Sequence, residues 1–242
     1  MKQFFGLSVL TALILVSAAE ISYSGKEQLA EGDEADVSYD GLHRIKKSVM
    51  DEAYVKPDID LSGYTKIIID PVAVSYKRKP PPPAASMRAS GSRSNFALTE
   101  QQMEQLTLLF HEAFVEAMTK NSTWEVIETS GPDVLRIEAE LIDLVVKVPT
   151  RPSTSQTHYF VSEIGEVTLV AELRDSQSRE VLARVADRSL IKTAGSGDVA
   201  YTTGVSARAD VRRLFDAWAN LIRNGLDQVR EISVARASEP PN

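Results

Sequence analysis

The spacing of apolar residues along the chain follows two periods, and each period predicts a different kind of element. Two segments have apolar residues three and four positions apart, which is typical of amphipathic helices. The first runs from Thr99 to about Asn121, and the second covers about 207–230. Thr99 and Gln102 have the spacing of a capping box, which predicts where the first helix begins.

Alternation of apolar and polar residues in other segments predicts half-buried strands. Five strands are predicted, over residues 64–74, 124–128, 134–148, 165–174 and 180–188. The first is a β-branched apolar run, which predicts burial on both of its faces. Residues Asp175–Ser178 form the predicted turn of a hairpin between the last two strands.

The order of these elements predicts an α+β fold. We expect a single domain with a mainly antiparallel sheet of about five strands and two amphipathic helices on one face. The inward positions of the separate patterns should then meet in one core. Phe110, Leu141 and Leu169 are expected to share it, whereas Thr168 points to the opposite face of the sheet.

The first nineteen residues have the layout of a secretory signal peptide. Lys2 precedes an uncharged, mainly apolar run from Phe4 to Val16, and small residues follow that run. This layout predicts cleavage between Ala19 and Glu20 and export to the periplasm. A retained membrane anchor is the alternative, although the run is shorter than the roughly 20 residues that span a bilayer core.

Composition divides the rest of the chain into three parts. Residues 20–40 are acidic with few large apolar side chains, which predicts a flexible tether. Residues 41–232 are assigned to the α+β domain, and 41–62 are expected to form an extended arm that packs on it. Residues 233–242 are predicted to be a disordered tail.

Residues 76–98 form a basic, proline-rich loop within the predicted domain. Pro80–Pro83 imposes an extended polyproline conformation on it. Five basic residues occur there without any acidic one: Lys77, Arg78, Lys79, Arg88 and Arg93. A solvated insertion is one interpretation. The functional hypothesis is contact with an anionic partner, either an acidic envelope protein or an anionic envelope surface.

Charge and cysteine content exclude several classes of protein. The whole chain has a formal charge of −7, which becomes −8 when the signal segment with Lys2 is removed. This argues against general nucleic-acid binding, which needs a basic face. The absence of cysteine excludes disulfides, thiol catalysis, thiolate metal sites and lipid attachment through an N-terminal cysteine.

No spacing in the sequence identifies catalytic, cofactor-binding or metal-binding residues. His43, His111 and His158 are far apart and do not have the spacing of metal ligands. Asp143 and Asp175 are candidates for a pair of catalytic carboxylates. A strand-end charge and a turn residue, respectively, explain these two more simply.

Four blocks of residues resemble a known family, in the right order. The first is Asp40–Leu42 with Asp60–Tyr64 and Ile69–Val72, and the second is Gly131–Arg136. The third and most specific is Gly165–Leu169 with Glu172–Ser176, Glu180–Val185 and Asp187-Arg188, and the fourth is Trp218-Ala219. Together they resemble the bacterial exported family catalogued as domain of unknown function 3313, over about residues 40–230. The resemblance implies an envelope protein, often a predicted lipoprotein, with no established activity and no catalytic residues. This chain differs from the lipoprotein pattern because it has no cysteine at the signal boundary.

Two functional hypotheses follow. The leading one is a non-catalytic periplasmic envelope protein that binds or scaffolds a partner, and it rests on the export signal, the tether and the lack of a reactive constellation. The alternative is a carboxylate- or metal-dependent hydrolase of the periplasm. An enzyme would need a concave pocket with convergent carboxylates or a histidine, whereas a binding module would have a flat or grooved surface.

Overall fold

The computed structural model describes residues 36–78, 96–120, 122–147, 159–161, 163–193, 200–202 and 204–238. The strands in these ranges are β1 (His43–Arg44), β2 (Glu52–Val55), β3 (Lys66–Ile69), β4 (Ala73–Tyr76), β5 (Glu125–Val126), β6 (Val134–Val146), β7 (Tyr159–Val161), β8 (Glu163–Asp175), β9 (Val181–Lys192) and β10 (Ala200–Thr202). Helix α1 (Glu100–Thr119) lies between β4 and β5 in the chain, and helix α2 (Gly204–Ser238) follows β10.

Eight strands form one mixed sheet in the order β1-β2-β9-β8-β6-β3-β5, and β4 also pairs with β6. The pairs β1–β2, β2–β9, β9–β8 and β8–β6 are antiparallel. β3 and β4 are parallel to β6, and β5 is parallel to β3. β7 and β10 form a separate two-stranded sheet. The α+β class is therefore confirmed, but the count of five strands is wrong. The missed strands are two to four residues long, which is too short for a period to show.

The first predicted strand divides into β3 and β4. Ile69 pairs with Ile137 and Ala73 pairs with Glu140, so four steps along this chain match three steps along β6. Pro71 lies in the interval, and it has no N–H with which to continue the ladder. The extra residue at the proline therefore ends one strand and starts the next.

Helix α1 begins where the capping box predicts. The Thr99 hydroxyl accepts a hydrogen bond from the Gln102 backbone N–H at 3.3 Å, and the Gln102 side chain accepts one from the Thr99 N–H at 2.9 Å. The helix ends at Lys120, whose N–H donates to the Glu116 carbonyl. One side of α1 is buried against the sheet, and it consists of Leu109, Phe110, Ala113, Phe114, Ala117 and Met118.

Helix α2 extends beyond both predicted ends. The prediction of a disordered tail is wrong for residues 233–238, which continue the helix. Ser233 is buried, and its hydroxyl donates to the Val229 carbonyl and accepts a hydrogen bond from the Leu61 N–H at 3.1 Å. The end of the helix is thus held by a distant part of the chain, a contact that local composition does not reveal.

Both helices pack on the same face of the sheet and enclose one apolar core. Phe110, Leu141 and Leu169 are fully buried in it, as predicted. Phe110 stacks on Phe114 with ring centroids 4.3 Å apart, and it meets Phe215 of α2 edge-on at 5.3 Å. These aromatic contacts join the two helices over the middle of the sheet.

The predicted arm and the end of the predicted tether are part of the fold. Residues 41–62 supply β1 and β2, and β2 pairs along the whole of its length with β9. Residues 36–40 are also placed on the domain: an Asp40 carboxylate oxygen accepts a hydrogen bond from Arg184 at 2.5 Å. This hydrogen bond lowers the pKa of Asp40. The acidic composition of this segment is matched by a cation on the outer face of the sheet, so its last residues are ordered.

A bulge in β6 keeps apolar side chains on the core side of the sheet. Asp143 has a φ of 55°, in the left-handed region, and the register with β8 shifts there. The extra residue places Leu144 and Val146 toward the core, where both are buried. On the facing strand, a Cβ added to Gly165 would lie 2.7 Å from the Val145 carbonyl oxygen, so only glycine fits at this close approach.

Candidate functional site

A cleft of about 400 Å³ lies between the C-terminal half of α2 and the part of the sheet formed by β2, β9 and β8. The helix-facing side of the strands forms the floor, and the segment between β1 and β2 (residues 45–50) contributes to the wall. Most of the lining side chains are aliphatic. The volume is within the range of roughly 300–1,000 Å³ that is typical of small-molecule sites.

Small side chains on the floor leave this space open. Ala53 of β2, Ala183 of β9 and Ala171 of β8 all line the cleft. Val185 of β9 lies between Ala53 and Ala171, and Ala183, two residues earlier on β9, lies between Val55 and Leu173. Larger residues at these positions would extend toward α2 and fill the space, as Leu169 does elsewhere on β8.

Helix α2 supplies an apolar stripe above this floor. Leu221, Ile222, Leu226 and Val229 recur at helical spacing and all line the cleft. Gly225 lies within the stripe, and a Cβ placed there would meet no other atom within 4 Å. Gly225 is exposed, so the helix lacks side-chain bulk where it borders the open side of the cleft.

Polar groups border the cleft in two places. Lys47 and Ser48 belong to the segment between β1 and β2, whereas Asn224 and Gln228 lie one turn apart on α2, beside the apolar stripe. Lys47 is exposed. No carboxylate in the described part of the chain forms an ion pair with it.

The other charged residues beside the cleft, Glu172 and Arg184, alternate with its floor residues and have their side chains on the outer face of the sheet, where they are neutralised. Arg184 donates to Glu172 at 2.7 Å and to Asp40 at 2.5 Å, and Glu172 also pairs with Arg174. The hydrogen bonds from Arg184 to Asp40 and Glu172 raise the pKa of its guanidinium above the ordinary arginine value. Within the described residues, Lys47 is therefore the cleft-lining charge that is left without an opposite charge.

Two of the five predicted anionic-contact residues, Lys77 and Arg78, lie in the described part of the chain. Lys77 lies 3.6 Å from a carboxylate oxygen of Glu166, so its charge is partly used within the fold. Three other basic residues of the loop and both residues of the predicted cleavage site lie outside the described ranges: Lys79, Arg88, Arg93, Ala19 and Glu20.

The two candidate catalytic carboxylates have structural roles. Asp143 is the bulge residue of β6. Asp175 organises the predicted hairpin turn, where it accepts hydrogen bonds from the Ser178 N–H at 2.6 Å and from the Tyr64 hydroxyl at 3.0 Å. Burial of the Tyr64 hydroxyl, together with its bond to Asp175, raises the pKa of Tyr64 to about 12.

The histidines do not form a metal site in the described residues. His43 lies in β1, His111 is exposed on α1, and His158 lies outside the described residues. Over the described ranges, no three histidine, aspartate or glutamate side chains are grouped so that they could hold a metal ion.

Residues of the four sequence blocks contact one another. Arg136 of the second block forms an ion pair with Asp70 of the first. Trp218 of the fourth block donates a hydrogen bond from its indole nitrogen to Asp187 of the third at 2.7 Å. These contacts join the β3–β4 junction to β6 and α2 to β9, so the blocks hold the fold together.

Sequence reasoning did not identify the cleft. Each of its alanines fits the inward position of a strand, and only their coincidence in three neighbouring strands creates a space. One local signal was present, namely Gly225 in the middle of an apolar helical stripe, where glycine is unfavourable by roughly 0.5–1 kcal/mol relative to alanine.

These features define an α+β domain with two helices on one face of a mixed sheet and an apolar cleft under its last helix. The chain matches the family model described as "Protein of unknown function (DUF3313)" over residues 33–222, and it belongs to that family. This confirms the resemblance found in the sequence. No curated protein matches the chain. No helix in the described residues is long and apolar enough to cross a membrane.

The chain is similar to several solved structures at low sequence identity and low TM-score. A PelC variant from Paraburkholderia phytofirmans, solved as a dodecamer, is 8% identical with a TM-score of 0.34, and the match covers 71% of this chain and 95% of that one. A Xanthomonas campestris protein of the DUF330 family is 12% identical with a TM-score of 0.38, covering 77% and 94%. A predicted lipoprotein from Caulobacter crescentus is 11% identical with a TM-score of 0.30, covering 75% and 96%.

Proposed function

We propose that this protein is a non-catalytic binding protein of the bacterial cell envelope and that it holds a small apolar molecule in the cleft under α2. The observation that carries the proposal is the apolar space of about 400 Å³ between alanines of the sheet and a glycine of the helix. A molecule that displaces water from such a lining gains about 25 cal/mol for each Å² of apolar surface that is buried.

The envelope assignment rests on the N-terminal sequence and on the family. Lys2 and the apolar run from Phe4 to Val16 have the layout of a signal peptide. Cleavage between Ala19 and Glu20 would release the protein into the periplasm. The intact mass of the protein recovered from the periplasmic fraction tests this, and a full-length mass in the membrane fraction would contradict it.

A binding titration with a solvatochromic apolar dye tests the cleft. Gly225 is exposed and lines the cleft, and a Cβ there meets no atom within 4 Å, so Gly225→Leu should narrow the opening and weaken dye binding without loss of folding. Asn220→Leu is the matched control, because Asn220 is exposed and does not line the cleft. Equal dye binding by the two variants would contradict the proposed site.

The basic loop supports a second proposal, contact with an anionic partner such as an acidic envelope protein or an anionic envelope surface. Its five basic residues without an acidic one contrast with the acidic chain around them. Each lysine or arginine near an anionic membrane contributes about 1 kcal/mol, and salt screens this attraction. Replacement of all five by glutamine should abolish salt-dependent co-sedimentation with anionic vesicles. Unchanged co-sedimentation would leave the loop a solvated insertion.

A further inference from the structure

We infer that the molecule held in the cleft is an anionic amphiphile with one acyl chain, whose head group lies beside Lys47. The inference rests on the proposed function and specifies the class of ligand. One flexible chain and one anionic group are the shared chemistry of free fatty acids and of anionic lysophospholipids.

The lining of the cleft favours a flexible chain over a planar ring system. Tyr54 is the one aromatic residue that lines it in the described part of the chain. Ligands with aromatic rings are generally held by stacking on aromatic side chains, and the cleft offers aliphatic side chains instead. The apolar stripe from Leu221 to Val229 is about 12 Å long at the rise of an α-helix, so a linear chain can lie along it.

The charge at the border favours an anionic head group. Lys47 lines the cleft, is exposed and has no carboxylate partner in the described residues. The preceding Lys46 differs, because its ammonium group lies 3.5 Å from a carboxylate oxygen of Asp36. Arg184, the other cation beside the cleft, is paired with both Asp40 and Glu172. An anion at the border therefore meets one uncompensated cation.

Neutral donors in both polar parts of the cleft border can also hold oxygen atoms of a ligand. The Asn224 side-chain oxygen accepts a hydrogen bond from Arg223 at 2.7 Å, which leaves the amide NH₂ group to donate to a ligand. The Ser48 hydroxyl oxygen accepts from the Met50 N–H at 3.0 Å, and its own proton is free to be donated. Oxygens of a carboxylate or a phosphate accept such hydrogen bonds, whereas an ammonium head group cannot.

Isothermal titration calorimetry tests the inference on the protein as it is purified from the cells that produce it. Four probes are used, each below its critical micelle concentration. The probes are decanoate, dodecanoate, dodecanol and a dodecanoyl lysophosphatidylglycerol. Dodecanoate should bind about 15-fold more tightly than decanoate, because each methylene contributes about fourfold in affinity. Dodecanol should bind more weakly than dodecanoate. The relative affinities of dodecanoate and the lysophospholipid identify which source of the anionic group fits better.

Variants of the border separate charge from packing. Lys47→Gln should weaken dodecanoate binding about two- to fivefold, as expected for loss of an exposed ion pair, and should not change dodecanol binding. Lys47→Arg should retain the preference, and Lys46→Gln is the matched control.

The outcomes distinguish the inference from the proposed function. If dodecanol binds as tightly as dodecanoate, or if Lys47→Gln affects both equally, the anionic class is wrong while the apolar site stands. If none of the four probes binds, both the proposed site and the inference are wrong.

Discussion

The two halves of the core lie on one sheet and share one helix, yet they are packed differently. Under α1 and the first half of α2, the core contains Phe110, Phe114, Phe215 and Trp218, none more than 1% exposed. Under the second half of α2, alanines of the sheet and a glycine of the helix line a cleft of about 400 Å³. We refer to these as the packed half and the cleft half.

The difference shows that burial and filling are separate properties of a core. Alternation along a strand decides which side chains point inward, and it does so equally in both halves. The volume of those side chains decides whether the space is filled, because interiors otherwise approach the density of organic crystals. A packed half that supplies stability allows the other half to keep a space for a ligand.

Truncation of a large side chain should separate the halves most clearly. Phe114→Ala in the packed half should cost about 3–5 kcal/mol in the free energy of unfolding, because it leaves a cavity in a fully buried aromatic cluster. Ile222→Ala at the cleft should cost about 2 kcal/mol or less, since the side chain already borders open space. Urea unfolding measures both, and equal losses would mean that the halves are packed alike.

Enlargement of a small side chain on the same helix provides the reverse test. Ala219 is fully buried in the packed half, so Ala219→Leu should destabilise the protein by about 1–3 kcal/mol through overpacking. Gly225→Leu in the cleft half should be neutral or stabilising by up to about 1 kcal/mol, because the site is open and glycine is a poor helix former. Thermal unfolding measures the stability of both variants. A large loss of stability for Gly225→Leu would show that the cleft is closed in solution.

The close approach of β6 and β8 permits a test that does not involve side-chain volume in the core. Gly165→Ala should cost about 1–3 kcal/mol, because the new methyl group would lie 2.7 Å from a backbone oxygen that cannot rotate away. Gly63→Ala is the control, since a Cβ there meets nothing within 4 Å. If both substitutions had the same small effect on the urea midpoint, the bulge would be more compliant than the structure indicates.

The smallest expected effect is a dependence on alkaline pH. Desolvation raises the pKa of Tyr64 to about 12 and also raises that of Tyr54. A raised pKa in the folded state stabilises the protein below the ordinary tyrosine value of about 10, and this contribution is lost as the pH rises through about 12. Tyr64→Phe should therefore reduce the alkaline fall in stability more than Tyr54→Phe, as followed by urea midpoints from pH 9 upward. The opposite order would contradict the assignment.

The sequence predicted elements whose determinants are local. Thr99 and Gln102 mark the start of α1 because a capping box needs only neighbours, and Asp175 marks the hairpin turn for the same reason. The inward positions of Leu141 and Leu169 follow from strand alternation over many residues. Such patterns are complete within one segment, so a single sequence reveals them.

Features that depend on distant partners were missed. β2 is four residues long and is a strand because β9 pairs with it, so its own composition does not reveal it. The cleft depends on still more distant partners, since it requires small residues of three different strands, Ala53, Ala171 and Ala183, to line the same space. Residues 233–238 looked like a tail because the partner of Ser233 lies near the other end of the described chain.

The hydrogen bond from the Leu61 N–H to the Ser233 hydroxyl spans 172 positions, and that from the Arg188 N–H to Asp51 spans 137. The hairpin of β8 and β9, by contrast, closes over a short turn. Pairings between distant segments form slowly because the intervening chain must first be brought together. The walls of the cleft should therefore assemble after the β6–β8–β9 meander and exchange their amide protons sooner than it does. A ligand that binds only the assembled cleft would slow that local opening, so occupancy of the site would set how long the two ends of the fold stay joined.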